Sequence, residues 1–184
     1  MKFRWVLKPS FKVSEIGFGT SQLANIDNKV LGVKYVSPSE ARKILHTAVN
    51  NGINFFDTSP DYGSAESLVA EIKKIYGDQI LVSTKGGLKI DGTRDFSTSF
   101  LEKQVESSLK ALNVDCLDIF QLKKPSATDL KDGKLFYFME TLKKKGKIKR
   151  SGVVVGDIET GYQCIDSGKI DCLQILFNLL YFET

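Results

Sequence analysis

Apolar positions along the chain alternate between two patterns, short unbroken runs and longer stretches repeating at i, i+3, i+4 and i+7, the signatures of buried strands and amphipathic helices. The runs predict strands over residues 13–18, 53–56, 80–84, 116–122, 151–155 and 172–177. Between them lie helical stripes. The first carries Ala41, Ile44, Leu45, Ala48 and Val49, starts at a capping box of Ser37 and Glu40 with Pro38 at its first position, and ends at Asn51 and Gly52. The next holds Ala65, Leu68, Val69 and Ile72 with Gly77 beyond it, and a third holds Leu101, Val105, Leu109 and Leu112. Leu135, Phe138, Met139 and Leu142 mark a fourth, closed by Gly146, and residues 158–165 a short helix weakened by Gly161. Residues 24–36 read as a polar loop. Strand and helix alternate without a linker or repeat, so the pattern predicts βαβ units, a parallel sheet and a single α/β domain over residues 1–184.

About six such units suit either a doubly wound sheet or a (β/α)8 barrel, and both place their chemistry at the C-terminal ends of strands. A dinucleotide fingerprint after the first strand would favour the former, but Gly17-Phe18-Gly19-Thr20-Ser21-Gln22 lacks the third glycine. Three polar side chains stand at or just beyond strand ends: Asp57, Tyr62 and Lys85. Singly, each has an ordinary explanation, as a turn cap, a packed ring and an exposed strand-end lysine. Together, at neighbouring strand ends of a parallel barrel, an acid, a phenol and an ammonium would share one cleft. Asp57 would supply the counter-charge of a buried lysine, and the lysine would lower the phenol's pKa. That is an arrangement for giving a proton to a carbonyl oxygen.

Composition narrows the partners. A chain of 184 residues buries roughly two-thirds of its unfolded surface, enough for a core without disulfides. Cys116, Cys164 and Cys172 are odd in number and have no CxxC spacing, which fits a reducing cytoplasm, and no signal-peptide pattern opens the chain. No apolar run is long enough to cross a bilayer. The net charge of +4 would draw attention to nucleic acid, yet its one dense basic run, residues 143–150, has no interleaved aromatics and begins where lysines favour a helix C-terminus. A metal-dependent hydrolase needs clustered ligands, and the chain has a single histidine, His46, beside the first helix's apolar stripe. No metal site is expected.

Gly17-Phe18-Gly19-Thr20, the segment Ile53-Asn54-Phe55-Phe56-Asp57-Thr58-Ser59-Pro60-Asp61-Tyr62-Gly63 and Ser83-Thr84-Lys85 strongly resemble the aldo-keto reductase superfamily. Leu117 to Leu122, Gly146-Lys147-Ile148 with Ser151-Gly152-Val153, and Leu173 to Leu180 look like that family's fourth, fifth and sixth strands, so the resemblance covers nearly the whole chain. It implies a TIM (β/α)8-type barrel that reduces aldehydes and ketones with NADPH. By position, Tyr62 would be the general acid, Lys85 its partner and Asp57 the residue fixing Lys85, while Gly19, Thr20, Asp57 and Gln174 would lie against the cofactor.

Two departures set the remaining expectations. The family's fourth strand ends in His, any residue, Pro, whereas this chain has Lys123-Lys124-Pro125, so Lys123 takes the fourth catalytic position, and Val154 and Val155 stand where a polar pair commonly meets the nicotinamide amide. A barrel of this type takes about 250 residues and eight strands, so six units make it incomplete, lacking the last two strands and their phosphate-binding loops. NADPH is then expected to bind weakly or not at all, and the open edges call for a second copy of the chain or a C-terminal segment to cover them. The reading is an NADPH-dependent carbonyl reductase acting on a small-molecule substrate; the alternative is a catalytically inactive, truncated relative serving as a binding or assembly module.

Overall fold

The computed structural model describes residues 1–6, 11–23 and 36–180; most of the expected loop over residues 24–36 lies outside them. The chain forms two compact units, Met1–Thr84 with Ser107–Val114, and Lys85–Glu106 with Asp115–Thr184.

The first unit opens with a hairpin that the hydrophobic pattern did not predict. Strand β1 (Phe3–Val6) pairs antiparallel with β2 (Phe11–Ser14). The hairpin is tied down by Asn54, whose side-chain oxygen accepts the Ser14 N–H at 2.8 Å while its amide donates to the Lys12 carbonyl at 2.8 Å. The strand expected over residues 13–18 is thus two strands. Ser14 turns its hydroxyl onto the Ile16 carbonyl at 2.7 Å, bending the chain before β3 (Phe18–Gly19) begins. Strands β3, β4 (Phe55–Asp57) and β5 (Leu81–Gly86) run parallel, with Gly19 opposite Asp57 and Asp57 opposite Ser83. Strand β5 runs two residues past its expected end, so Lys85 and Gly86 belong to it.

Helix α1 (Pro38–Asn50) carries the complete capping box of Ser37 and Glu40, and Asn51 closes it. With α2 (Ala65–Tyr76) it buries Ala41, Leu45, Leu68, Val69 and Ile72, and Arg42 holds Glu71 through two bonds of 2.6 and 2.9 Å. The Nδ1 of His46 lies 3.1 Å from the Tyr76 hydroxyl.

In the second unit, β6 (Leu117–Lys123), β7 (Ile148–Val154) and β8 (Cys172–Gln174) are parallel, with Gln121 opposite Gly152 and Val154 opposite Gln174. Helix α3 (Thr98–Leu112), whose residues from Ser107 on belong to the first unit, follows β5; α4 (Ala127–Leu130) and α5 (Lys134–Lys144) follow β6; α6 (Ile158–Ser167) follows β7. Strand β7 starts three residues earlier than expected, because Gly146 turns the chain at a φ of +69° and the Lys147 carbonyl at once accepts the Leu117 N–H. Helix α6 runs through Gly161, held by the Asp157 carboxylate at its first turn and closed by Gly168 at a φ of +61°. Strand β8 stops at Gln174, short of the expected residue 177. The basic run is matched by acids: Lys143 pairs with Asp171, Lys145 with Glu102, Lys147 with Glu106 and Lys149 with Asp118.

Candidate active site

In the first unit the site residues hang on the C-terminal end of β4. Asp57 is the last residue of that strand, and its carbonyl accepts both the Thr20 N–H at 2.9 Å and the Thr20 hydroxyl at 3.0 Å. Thr20 is fully buried. Its side chain thus braces the strand end that presents Asp57. A Cβ added at Gly19 would meet nothing within 4 Å, so packing does not demand glycine there. After β4 the Thr58 N–H donates to the Ser83 carbonyl at 2.8 Å, and a tight turn over Pro60–Tyr62, in which Ser59 bonds the Asp61 carboxylate, brings up the Tyr62 ring.

The Tyr62 phenol is pushed up to about 12, first by burial and then by the negative charges of Asp57 and Asp61. The direction is opposite to the lowering expected from a lysine neighbour. A phenol with that proton affinity stays protonated through the neutral range and is a weaker acid than a free tyrosine.

Glu66, a residue the sequence reading passed over, lies in the first turn of α2 with only 5% of its surface exposed. Its carboxylate accepts the Thr84 hydroxyl at 2.7 Å. Burial raises its pKa, the bonds from the Thr84 and Ser108 hydroxyls work against that, and Asp61 adds to the rise. A raised folded-state pKa means stability that is complete below the unfolded carboxyl's value and is lost as pH rises through the folded one. Glu66→Gln is therefore expected to raise Tm by a few degrees at pH 7–8, with the gain shrinking toward pH 4. Calorimetry across that range checks this; a neutral-pH gain that persists undiminished at pH 4 would contradict it. Nothing in the sequence pattern marked it: Glu66 sits beside the stripe of Ala65, Leu68, Val69 and Ile72, in a helix's first turn where a carboxylate is ordinary.

In the second unit, Lys85 is 2% exposed in β5 and Lys123 is the last residue of β6, opposite Val154. Gln174 ends β8, and its side-chain oxygen accepts the Gln121 amide at 3.0 Å. Gln121, also missed in the sequence, reaches it across Gly152, where an added Cβ would sit 2.8 Å from both Gln121 Cγ and Cys172 Sγ. Only glycine leaves that crossing open. Among the described residues no group of three or more His, Cys, Asp or Glu could hold a metal, and no helix is long and apolar enough to cross a membrane.

These strand-end residues sit in a chain whose relatives are clear. A profile of the Aldo/keto reductase family matches residues 15–184, and the chain belongs to that family. It is 31% identical over 134 residues to the 6-dehydroglucose reductase of Novosphingobium aromaticivorans, covering 67% of this chain and 41% of that protein. It is 33% identical over 147 residues to the L-galactose dehydrogenase of Arabidopsis thaliana, covering 77% and 42%. The chain therefore spans less than half the length of these curated relatives. Among solved structures, the aldo-keto reductase PA4992 of Pseudomonas aeruginosa matches 97% of this chain with 69% of its own, at a TM-score of 0.85 and 24% identity. The fold is accordingly an incomplete (β/α)8-type barrel of parallel strands with following helices, as expected.

Proposed function

We propose that the chain carries the proton-donating part of an NADPH-dependent carbonyl reductase, acting on a small aldehyde or ketone, in one aldo-keto-reductase-like domain. The observation that carries this reading is Tyr62, a half-buried phenol on the tight turn that follows β4, next to the strand end that presents Asp57. In the proposal Tyr62 gives its proton to the carbonyl oxygen from the turn that follows β4, with Asp57 at that strand's end; Lys85, two residues beyond the Ser83 that pairs with Asp57, keeps the role the resemblance implies for it. NADPH, when bound, supplies the hydride. Residues in each unit fit its nicotinamide end: Gln174 offers a side-chain amide oriented by Gln121, and Gly19 leaves open space at its Cα beside Thr20, which is spent on holding the Asp57 carbonyl. Titrating the chain into NADPH and following the cofactor's emission tests this; emission that stays unchanged would count against NADPH in this reading.

Lys123 adds a second cation where a neutral side chain would serve to orient a carbonyl. The resemblance implies a histidine at that position, a side chain that donates a hydrogen bond to a carbonyl in its neutral form. Lys123→His is expected to raise the NADPH-dependent rate with a model aldehyde severalfold. A lower rate would show that the ammonium stabilises developing oxyanion charge.

A second reading, a non-catalytic binding or assembly module in the cytoplasm, is favoured by the outer face of α6, where Ile158, Tyr162 and Ile165 stand exposed at i, i+4 and i+7. Light scattering separates the two. A stable self-associated species without aldehyde reduction supports the module, and turnover by the chain supports the enzyme.

A further inference from the structure

We propose that Glu66 is a positioning residue for the carbonyl-reducing site, holding the end of β5 through the Thr84 hydroxyl so that Lys85, the next residue, keeps its direction on the opposite face of the strand. The inference rests on the role given to Lys85 above. Side chains alternate along a strand, so Val82 and Thr84 share the face turned to α2 while Ser83 and Lys85 share the other. Every residue of β5 is buried. On the α2 side Ala65, Leu68, Val69 and Ile72 are each at most 5% exposed, and the buried Glu66 carboxylate has the fully buried Ser108 hydroxyl of α3 as a second partner beside Thr84.

A carboxylate in such a layer is expensive even when hydrogen-bonded, and an apolar pair of similar volume would serve stability as well or better. What an apolar pair cannot supply is direction. The 2.7 Å bond from Thr84 Oγ1 to Glu66 Oε1 fixes the rotation of the strand about its own axis at Thr84, and through one peptide link the departure of the Lys85 Cα–Cβ bond. The same carboxylate feels the charge of Asp61, the residue before Tyr62. Glu66 therefore borders both elements that the proposed proton transfer uses: the end of β5 and the turn that presents the phenol.

The test pairs stability with a direct view of Lys85. Wild-type protein, Glu66→Gln, Thr84→Val and the double variant Glu66→Leu/Thr84→Val are made with ε-13C-lysine, and the Lys85 resonance is assigned by its loss in Lys85→Arg. Urea unfolding at pH 7.5, the Lys85 titration midpoint, and kcat and KM for 4-nitrobenzaldehyde with NADPH are then measured. The apolar double variant is expected to be as stable as wild type or more so. Its Lys85 midpoint should move by about half a pH unit or more, and kcat should fall about tenfold or more with KM little changed. Glu66→Gln, which keeps an acceptor for the Thr84 hydroxyl, should hold the wild-type midpoint. A double variant that folds with an unmoved midpoint overturns the inference; should it fail to fold, an unmoved midpoint in Thr84→Val does the same. Moved midpoints in a protein with no aldehyde reduction by wild type would sink the enzymatic reading and leave the positioning role standing.

Discussion

Tyr62→Phe is expected to reduce NADPH-dependent carbonyl reduction by about two to four orders of magnitude, the usual contribution of a positioned acid. Only the hydroxyl is lost. The ring still fills its half-buried place beyond the turn over Pro60–Tyr62, so thermal unfolding should shift by no more than a few degrees. Because the interaction belongs to the transition state, kcat and kcat/KM should fall together. The wild-type pH profile carries a matching signature. With the phenol pushed up to about 12, the donor stays protonated through the working range, and no falling limb from Tyr62 should appear below about pH 10. Undiminished turnover by Tyr62→Phe removes Tyr62 as the acid, and a limb near pH 8 that vanishes in the variant would show a lowered phenol pKa.

The largest effect on stability is expected at Phe120. Its side chain is fully buried in the middle of β6, and the space it fills is set by Gly86, where an added Cβ would lie 2.5 Å from the ring's Cζ. Deleting the ring loses its transfer free energy and leaves a cavity that strand backbones cannot close. Phe120→Ala should therefore cost about 3–5 kcal/mol. Gly86→Ala should also destabilise, by overpacking, but much less in a Phe120→Leu background, since the two positions share one space. Denaturant unfolding of wild type, Phe120→Ala, Gly86→Ala, Phe120→Leu and the Gly86→Ala/Phe120→Leu double variant decides the point. A cost below about 1 kcal/mol for Phe120→Ala, or additive effects in the double variant, would show that the ring is not confined as described.

What the sequence determined by itself was every feature carried by local chemistry. Ser37, Pro38 and Glu40 begin α1 because their side chains and fixed φ satisfy a helix start without outside help, and Asn51 and Gly52 end it. The stripe of Leu101, Val105, Leu109 and Leu112 defines α3 in the same way. Asp57 and Lys123 close their strands as the hydrophobic runs indicated, while Lys85 falls one residue inside β5. The tertiary structure decided whatever depends on partners distant in the chain. The N-terminal hairpin is anchored by Asn54, some 40 residues away, which no local pattern announces. Gln121 is aimed at Gln174 only because Gly152 lies between them. Tyr62 is held protonated because burial and two nearby carboxylates weigh against its ionisation, a balance that depends on distances rather than spacing. Glu66 looks in sequence like a solvated carboxylate in a helix's first turn; the fold closes over it and gives it Thr84, which makes it a fixed point instead.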